Sequence, residues 1–226
     1  MNNFQGFSKD SIKFYEDLTN NNSKEWFADH KSDYEEFVMK PARSFVIDLG
    51  ERLQAISPEI QAIPKTDKSI FRIYRDIRFT PDKRPFKTHL GILFWEGHRK
   101  KLECPGFYLQ IDKDKIFIGS GLYMFPTDIR DNFRNAVADE KKGDGLRKII
   151  DKLQKQNFQL GGRHYKKVPR GFDKDHKNAE FLLYNGFWAG KEFPIVEEFY
   201  SEDFIDWCFE HFLKMFDLHK WMLGII

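Results

Sequence analysis

Cysteine is scarce: the 226-residue chain has two, Cys104 and Cys208. Neither belongs to a C-x-x-C pair and their surroundings differ, so they predict two buried free thiols in a reducing compartment rather than a disulfide framework. Long apolar runs are missing as well. No window approaches about 18 uninterrupted apolar residues, which excludes a membrane-spanning helix on sequence grounds. The opening MNNFQGFSKD has no basic stretch followed by an apolar one, so no signal peptide is expected and the cytoplasm is the expected location. An excess of one charge is also lacking: 37 Lys and Arg face 35 Asp and Glu, for a net charge of +2. That balance gives no overall pull toward nucleic acid or an anionic membrane, so any such partner must be read from local patches. There is no G-x-S-x-G. The Gly-Ser-Gly at 119–121 has no Lys-Ser/Thr after it to make a phosphate loop. Internal repeats, low-complexity segments and linkers are absent too.

What the chain has in quantity is aromatic residues, at 16%, including 24 Phe. With 41% hydrophobic residues, this composition predicts a folded globular protein with a substantial core. The first third reads as helical. Ser8 caps a helix whose apolar positions are Ile12, Tyr15 and Leu18, and Ser23 caps a second helix through Trp26 and Phe27. A longer pattern through Phe45, Val46, Leu49 and Leu53 is interrupted by Pro41, which either kinks it or starts a new helix. In the middle third the period becomes two. Strands are predicted at 70–79, 88–96, 106–112 and 115–122, with Asp112-Lys113-Asp114 at a hairpin turn. Two short helices follow, one opening near Pro126-Thr127 and one at Asp144, and then an irregular stretch over 157–195. A last long helix, capped by Ser201, carries Phe204, Cys208, Phe212, Met215 and Met222 on one stripe. His219 falls on that stripe as a core histidine. Helices, then strands, then helices, with little βαβ alternation, predict one α+β domain over 1–226, a predominantly antiparallel sheet flanked by N-terminal and C-terminal helices.

Positive charge is concentrated at FRIYRDIRFTPDKRPFKTH, residues 71–89. Residues 72–89 carry six basic and two acidic side chains, net +4, so the rest of the chain is net −2. Read as a strand, 71–79 places Phe71, Ile73, Arg75, Ile77 and Phe79 on one face and Arg72, Tyr74, Asp76 and Arg78 on the other. A charge on an apolar face needs a partner. Arg75 therefore either pairs with a carboxylate elsewhere, reaches a concavity and binds an anion, or is exposed by a β-bulge. The other face has a plainer reading, a solvated edge in which Asp76 pairs an arginine. Lys83, Arg84, Lys87 and His89 follow around Pro81 and Pro85. Arginine forks and lysine point charges together suit carboxylate or phosphate.

A second basic stretch, RHYKKVPRGFDKDH at 163–176, sits on a loop marked by Pro169 and Gly171. It reads either as a solvated basic loop or, with Arg170 and His176, as part of a site. Asp175-His176 as an acid/base pair is weakened by adjacency, because neighbours seldom face one another. His164, Asp175 and His176 lack metal-ligand spacing, so no metal and no cofactor is expected.

The stretch RIYRDIRFTPDKRPFKTH resembles the family described as Domain of Unknown Function 2461. The family pattern is matched at Arg72, Arg75, Asp76, Arg78, Phe79, Asp82, Lys83, Pro85, Lys87 and Thr88, while Phe86 stands where tyrosine is usual. GFYLQI at 106–111 and VPRGFDKDH at 168–176 are similar to further family segments, and the likeness runs from about Phe4 to the last helix. The resemblance implies an α+β fold and a shared motif over Arg72–Lys87, and favours the two basic segments forming one site. It assigns no catalytic residue. The leading expectation is a site for a small anionic ligand, with Arg72, Arg75, Arg78, Lys83, Lys87 and Arg170 binding it and Asp76, His89 or His176 as proton-transfer candidates. A nucleic-acid-binding module, with Phe71, Tyr74, Phe79 and Phe86 stacking on bases, is the second reading. A structural or protein-interaction domain with internal arginine–carboxylate pairs is the third.

Overall fold

The computed structural model describes residues 3–226. Helix α1 (Lys9–Asn20) starts at Ser8, whose side chain accepts from the Ser11 backbone N–H while the Ser11 side chain accepts from the Ser8 N–H. Its buried stripe is Ser11, Phe14, Tyr15 and Leu18, so Ile12 lies at the margin of the face expected for it. Ser23 caps α2 (Lys24–Asp29). A short turn of helix, α3 (Lys31–Asp33), runs through a π-helical stretch (Tyr34–Met39) into α4 (Lys40–Ile56). Pro41 explains the π register. It has no N–H for the Phe37 carbonyl one turn back, and that carbonyl instead accepts from Ser11 Oγ at 2.6 Å.

The strands are β1 (Ile60–Gln61), β2 (His89–Glu96), β3 (Gly106–Asp112), β4 (Lys115–Leu122), β5 (Gln159–Arg163) and β6 (Tyr184–Pro194). They form one antiparallel sheet in the order β1-β2-β3-β4-β6-β5. With helices at both ends of the chain, the fold is α+β. Helix α5 (Thr127–Ala138) buries Ile129, Phe133 and Val137. Helix α6 (Glu140–Gln154) begins earlier than Asp144, with Asp139 as its cap. The expected single last helix is two, α7 (Phe204–Lys214) and α8 (Phe216–Leu223), separated at Met215. Both cysteines are free and buried. No helix among the described residues is long and apolar enough to cross a membrane.

By internal packing the chain divides into two compact units. The first comprises Met1–Phe94, Tyr108–Phe117 and Glu192–Glu210; the second comprises Trp95–Phe107, Ile118–Lys191 and His211–Ile226. The first unit is centred on Phe4, Phe7, Phe45, Phe199 and Phe204, with ring centroids between 5.0 and 6.2 Å apart. The second packs Phe125, Phe181 and Phe187 around Phe133 and one another, and Phe107 against Phe212 and His219.

Candidate functional site

Residues 69–75 run antiparallel to 85–93 without making a continuous strand. The Leu93 N–H donates to the Ser69 carbonyl, Phe71 to Gly91, Lys87 to Ile73 and Arg75 to Pro85, all at 2.8–2.9 Å. Isolated bridges join Ile70 to Ile92 and Tyr74 to Phe86. Pairing ends at Arg75 because Pro85 offers a carbonyl but no N–H in return. The expected strand at 70–79 is therefore corrected to a bridged segment followed by a loop over 76–84. The period-two register fails beyond Arg75, and Phe79, assigned to the apolar face, is 91% exposed. Arg75 does find a carboxylate. Its side chain is 24% exposed, bonded to Asp82 at 2.8 Å and to the Arg84 carbonyl at 3.0 Å.

The loop is knitted by two Asp-x-Arg forks of the same form. The Asp76 carboxylate accepts from the Arg78 backbone N–H, from Nε at 3.0 Å and from Nη2 at 2.7 Å. Asp82 accepts from the Arg84 backbone, Nε and Nη2 in the same way. Lys83 Nζ closes the loop on the Ile77 carbonyl at 2.9 Å. Hydrogen bonds from Arg78 hold Asp76 down to about 2, and those from Arg84, then Arg75, hold Asp82 well below the ordinary aspartate range. Asp76 is thus an ionised and poorly basic group near neutral pH. Because both values are depressed, the order that the forks supply is complete above the ordinary value of 3.8 and is lost as pH falls through the folded values. Amide exchange over 76–84 is expected to accelerate between about pH 4 and pH 2 relative to the core, and Asp82→Asn should reproduce the acceleration at neutral pH. Unchanged protection in that variant would show that the forks do not order the loop.

The remaining cations of the segment lie elsewhere. Lys87 Nζ donates to the Arg72 carbonyl at 2.7 Å and stands 5.6 Å from the Phe71 ring centroid. The ion pairs of the loop take Arg75, Arg78 and Arg84 and leave Arg72 without a carboxylate among the described residues. Burial and then the Arg72 charge lower Lys87; burial and then the Lys87 charge lower His89, against an opposing pull from Asp112. Lys87, His89 and Gly91 alternate along one side of the chain. At Gly91 a Cβ would lie 2.9 Å from Tyr108 Oη and 3.4 Å from the Phe71 ring, so only glycine lets these two side chains close over the strand. Tyr108 Oη donates to Gln110 Oε1 at 3.0 Å, and burial pushes its hydroxyl up to about 12. Phe71 meets Tyr108 edge-on at 6.0 Å, and Phe117 continues the row at 6.3 Å. Phe71, Lys87, His89, Tyr108, Gln110 and Phe117 are each half-buried, and this face of the first unit, the shelf, carries a row of three aromatic rings with Lys87 at the Phe71 end.

The second basic stretch belongs to the second unit. Its start is pinned: the N–H groups of His164 and Tyr165 both donate to the Leu183 carbonyl, and Tyr165 Oη donates to Asn185 Oδ1 at 3.0 Å. Arg170 is exposed. The Asp175 N–H donates to Asp173 Oδ1, and His176 Nδ1 accepts from the Asn178 N–H at 3.1 Å. That bond occupies the nitrogen an orienting Asp175 would have used and places the proton of the neutral ring on Nε2.

A model of the family described as conserved hypothetical protein (DUF2461) matches residues 10–221. The chain belongs to the DUF2461 family. The match spans both basic stretches and the strand that carries Tyr108 and Gln110. No curated protein gives a match. Phe86 is 2% exposed and stacks on Phe27 at 4.4 Å, an apolar contact that asks for no hydroxyl. Reasoning from sequence did not single out Gly91, Tyr108, Gln110 and Phe117 on this face of the first unit. The alternation of Tyr108 with Gln110 beside GFYLQI carried the signal that both side chains share a face.

Proposed function

We propose that this DUF2461 protein binds a small anionic ligand on the shelf of its first unit, with Arg72 and Lys87 holding the charge and His89 beside them. The observation that carries the reading is the placement of Lys87, half-buried and within reach of the Arg72 charge, with no ion pair to a carboxylate on either among the described residues, although the Asp67 charge acts on Lys87 and Asp76 feels that of Arg72. Lys87 is partly desolvated and feels the like charge of the exposed Arg72, which costs stability, and an anion relieves that cost. The floor of Phe71, Tyr108 and Phe117 suits an apolar or ring-bearing part of the ligand. Internal pairing accounts for Arg75, Arg78 and Arg84, and the Ile77 carbonyl for Lys83, but among the described residues no ion pair accounts for Arg72. His89, lowered and so neutral near pH 7, is the candidate proton acceptor on the shelf.

A single observation favours the nucleic-acid reading: Phe79 is exposed, with the Arg78 guanidinium 5.5 Å from its ring. Phe86 is buried, however, so one of the four rings suited to stacking is withdrawn.

Phosphate or sulfate at about a hundred times its dissociation constant is expected to add about 2.7 kcal/mol of stability, a rise of roughly 5–10 °C in Tm for a chain of this length. The control is chloride at matched ionic strength. A panel of such anions that moves Tm no further than chloride does would remove the proposal. Affinity for single-stranded DNA that falls steeply with salt would move the reading to nucleic acid.

A further inference from the structure

The second unit contains an arginine pair that the shelf does not use. Arg130 and Arg134 lie four residues apart on α5, hence on one face of the helix, where two like charges disfavour one another. Both turn to Tyr165. The Arg134 guanidinium stands 4.9 Å from the Tyr165 ring centroid, and Arg130 Nη1 reaches Tyr165 Oη at 3.4 Å. Tyr165 cannot turn away, since its hydroxyl is committed to Asn185 and its backbone N–H to Leu183. Arg134 Nε is buried with no hydrogen-bond partner, and no carboxylate pairs with Arg134 among the described residues. Arg130 meets only the carboxylate of its neighbour Asp131, at 3.4–3.5 Å, near the limit of a contact. The same unit satisfies another helical arginine in full: Arg147 on α6 bonds Asn178 Oδ1 at 2.7 Å, the Lys177 carbonyl, and Glu180 at 3.1 Å. The want of an acceptor at Arg134 is therefore a local feature and not a habit of this unit.

We infer that Arg130 and Arg134, backed by Tyr165, form an oxyanion site in the second unit that takes a phosphoryl group. The donors here are two guanidinium forks, one of them grazed by the Asp131 carboxylate, and the amide nitrogen of Asn185, left over once its oxygen has accepted from Tyr165. A phosphoryl dianion neutralises both arginines, whereas a carboxylate neutralises one, and the fork geometry matches two oxygens at a time. Arg163, Lys166 and Lys167 follow on the adjoining stretch, all exposed and with no acidic residue before Asp173, so an approaching anion meets a field of favourable sign. None of these residues belongs to the first unit, so the inference stands or falls separately from the shelf.

The test uses the full chain carrying Arg72→Gln and Lys87→Gln, which disables the shelf, and inorganic phosphate titrated by calorimetry at constant ionic strength. Phosphate is expected to bind this protein. Adding Arg130→Gln and Arg134→Gln should weaken the binding about a hundredfold or more, the loss of two charge-assisted contacts, while the circular dichroism is unchanged. Arg130→Gln alone, at a partly exposed position, should weaken it about tenfold or more and serves if the double change impairs folding. Failure of phosphate to bind the shelf-disabled protein, or binding indifferent to Arg130 and Arg134, would overturn the site. Acetate binding as tightly as phosphate would overturn the phosphoryl assignment.

Discussion

Replacing His219 with leucine is expected to lower the stability of the protein by about 3–5 kcal/mol. His219, on α8, has no exposure to solvent, and its Nε2 lies 2.7 Å from Glu96 Oε2 at the end of β2. Glu96 is itself only 11% exposed in its side chain. Leucine fills much of the imidazole volume and keeps an apolar contact with Phe107, whose ring stacks on His219 at 4.6 Å. What it removes is one partner of a buried carboxylate, and weakening the pairing of a buried charge is the expensive part. The double variant Glu96→Met with His219→Leu should recover most of the loss, because replacing both members of a buried pair by apolar groups is close to neutral. Denaturant titrations of the two single variants and the double variant give the coupling directly. Losses that simply add would mean that the pair is not the source of the effect, and a single-variant loss below about 1 kcal/mol would mean that Glu96 reaches water in its absence.

The histidine was legible as a core residue from its position on an apolar stripe; its partner, 123 residues earlier in the chain, was not. The same division runs through the fold. Alternation and a local turn suffice for β3 and β4, because Asp112 Oδ1 accepts from the N–H groups of Asp114 and Lys115 and so fixes the hairpin from within. Periodicity places α5 for the same reason: its signal lies in its own residues. Alternation over 70–79 misleads because a strand also needs a neighbour with free donors, and Pro85 denies one beyond Arg75. Helix α6 starts a turn before the expected Asp144 and runs through Gly143. At Gly143 a Cβ would lie 2.3 Å from the Val137 carbonyl, so the glycine is a packing requirement inside the helix and not its boundary. The candidate site divides likewise. Arg72, Lys87 and His89 share one stretch of sequence, whereas Tyr108, Gln110 and Phe117 join them only through strand pairing, and Arg130 and Arg134 sit on a helix whose polar face looks like any solvated one.

Changing Arg72 and Lys87 together to glutamine is expected to weaken binding of a phosphate-like anion at the shelf by about a hundredfold or more, since two charge-assisted hydrogen bonds of about 1.5–3 kcal/mol each are lost. Without the anion, the same double change should leave stability nearly unaltered. Lys87 is lowered from its ordinary value of 10.5, so folding disfavours its charge, and the native state gains stability as pH rises through the window between the folded value and 10.5. A neutral glutamine relieves that penalty at every pH, and the relief offsets the lost bond to the Arg72 carbonyl. His89 supplies a reading that a merely structural role would not move. Burial and the Lys87 charge hold it below 6.5, so with the lysine gone its titration, followed by NMR, should move up toward the ordinary value. In the parent protein the bound anion should raise it as well, which by linkage makes affinity increase as pH falls through the titration of His89. His89→Gln should flatten that pH dependence while retaining most of the affinity at pH 8. An anion affinity that changes less than about threefold in the double variant, well short of one charge-assisted bond, would exclude Arg72 and Lys87 as the binding groups. A His89 titration indifferent to both lysine and anion would separate the histidine from the site.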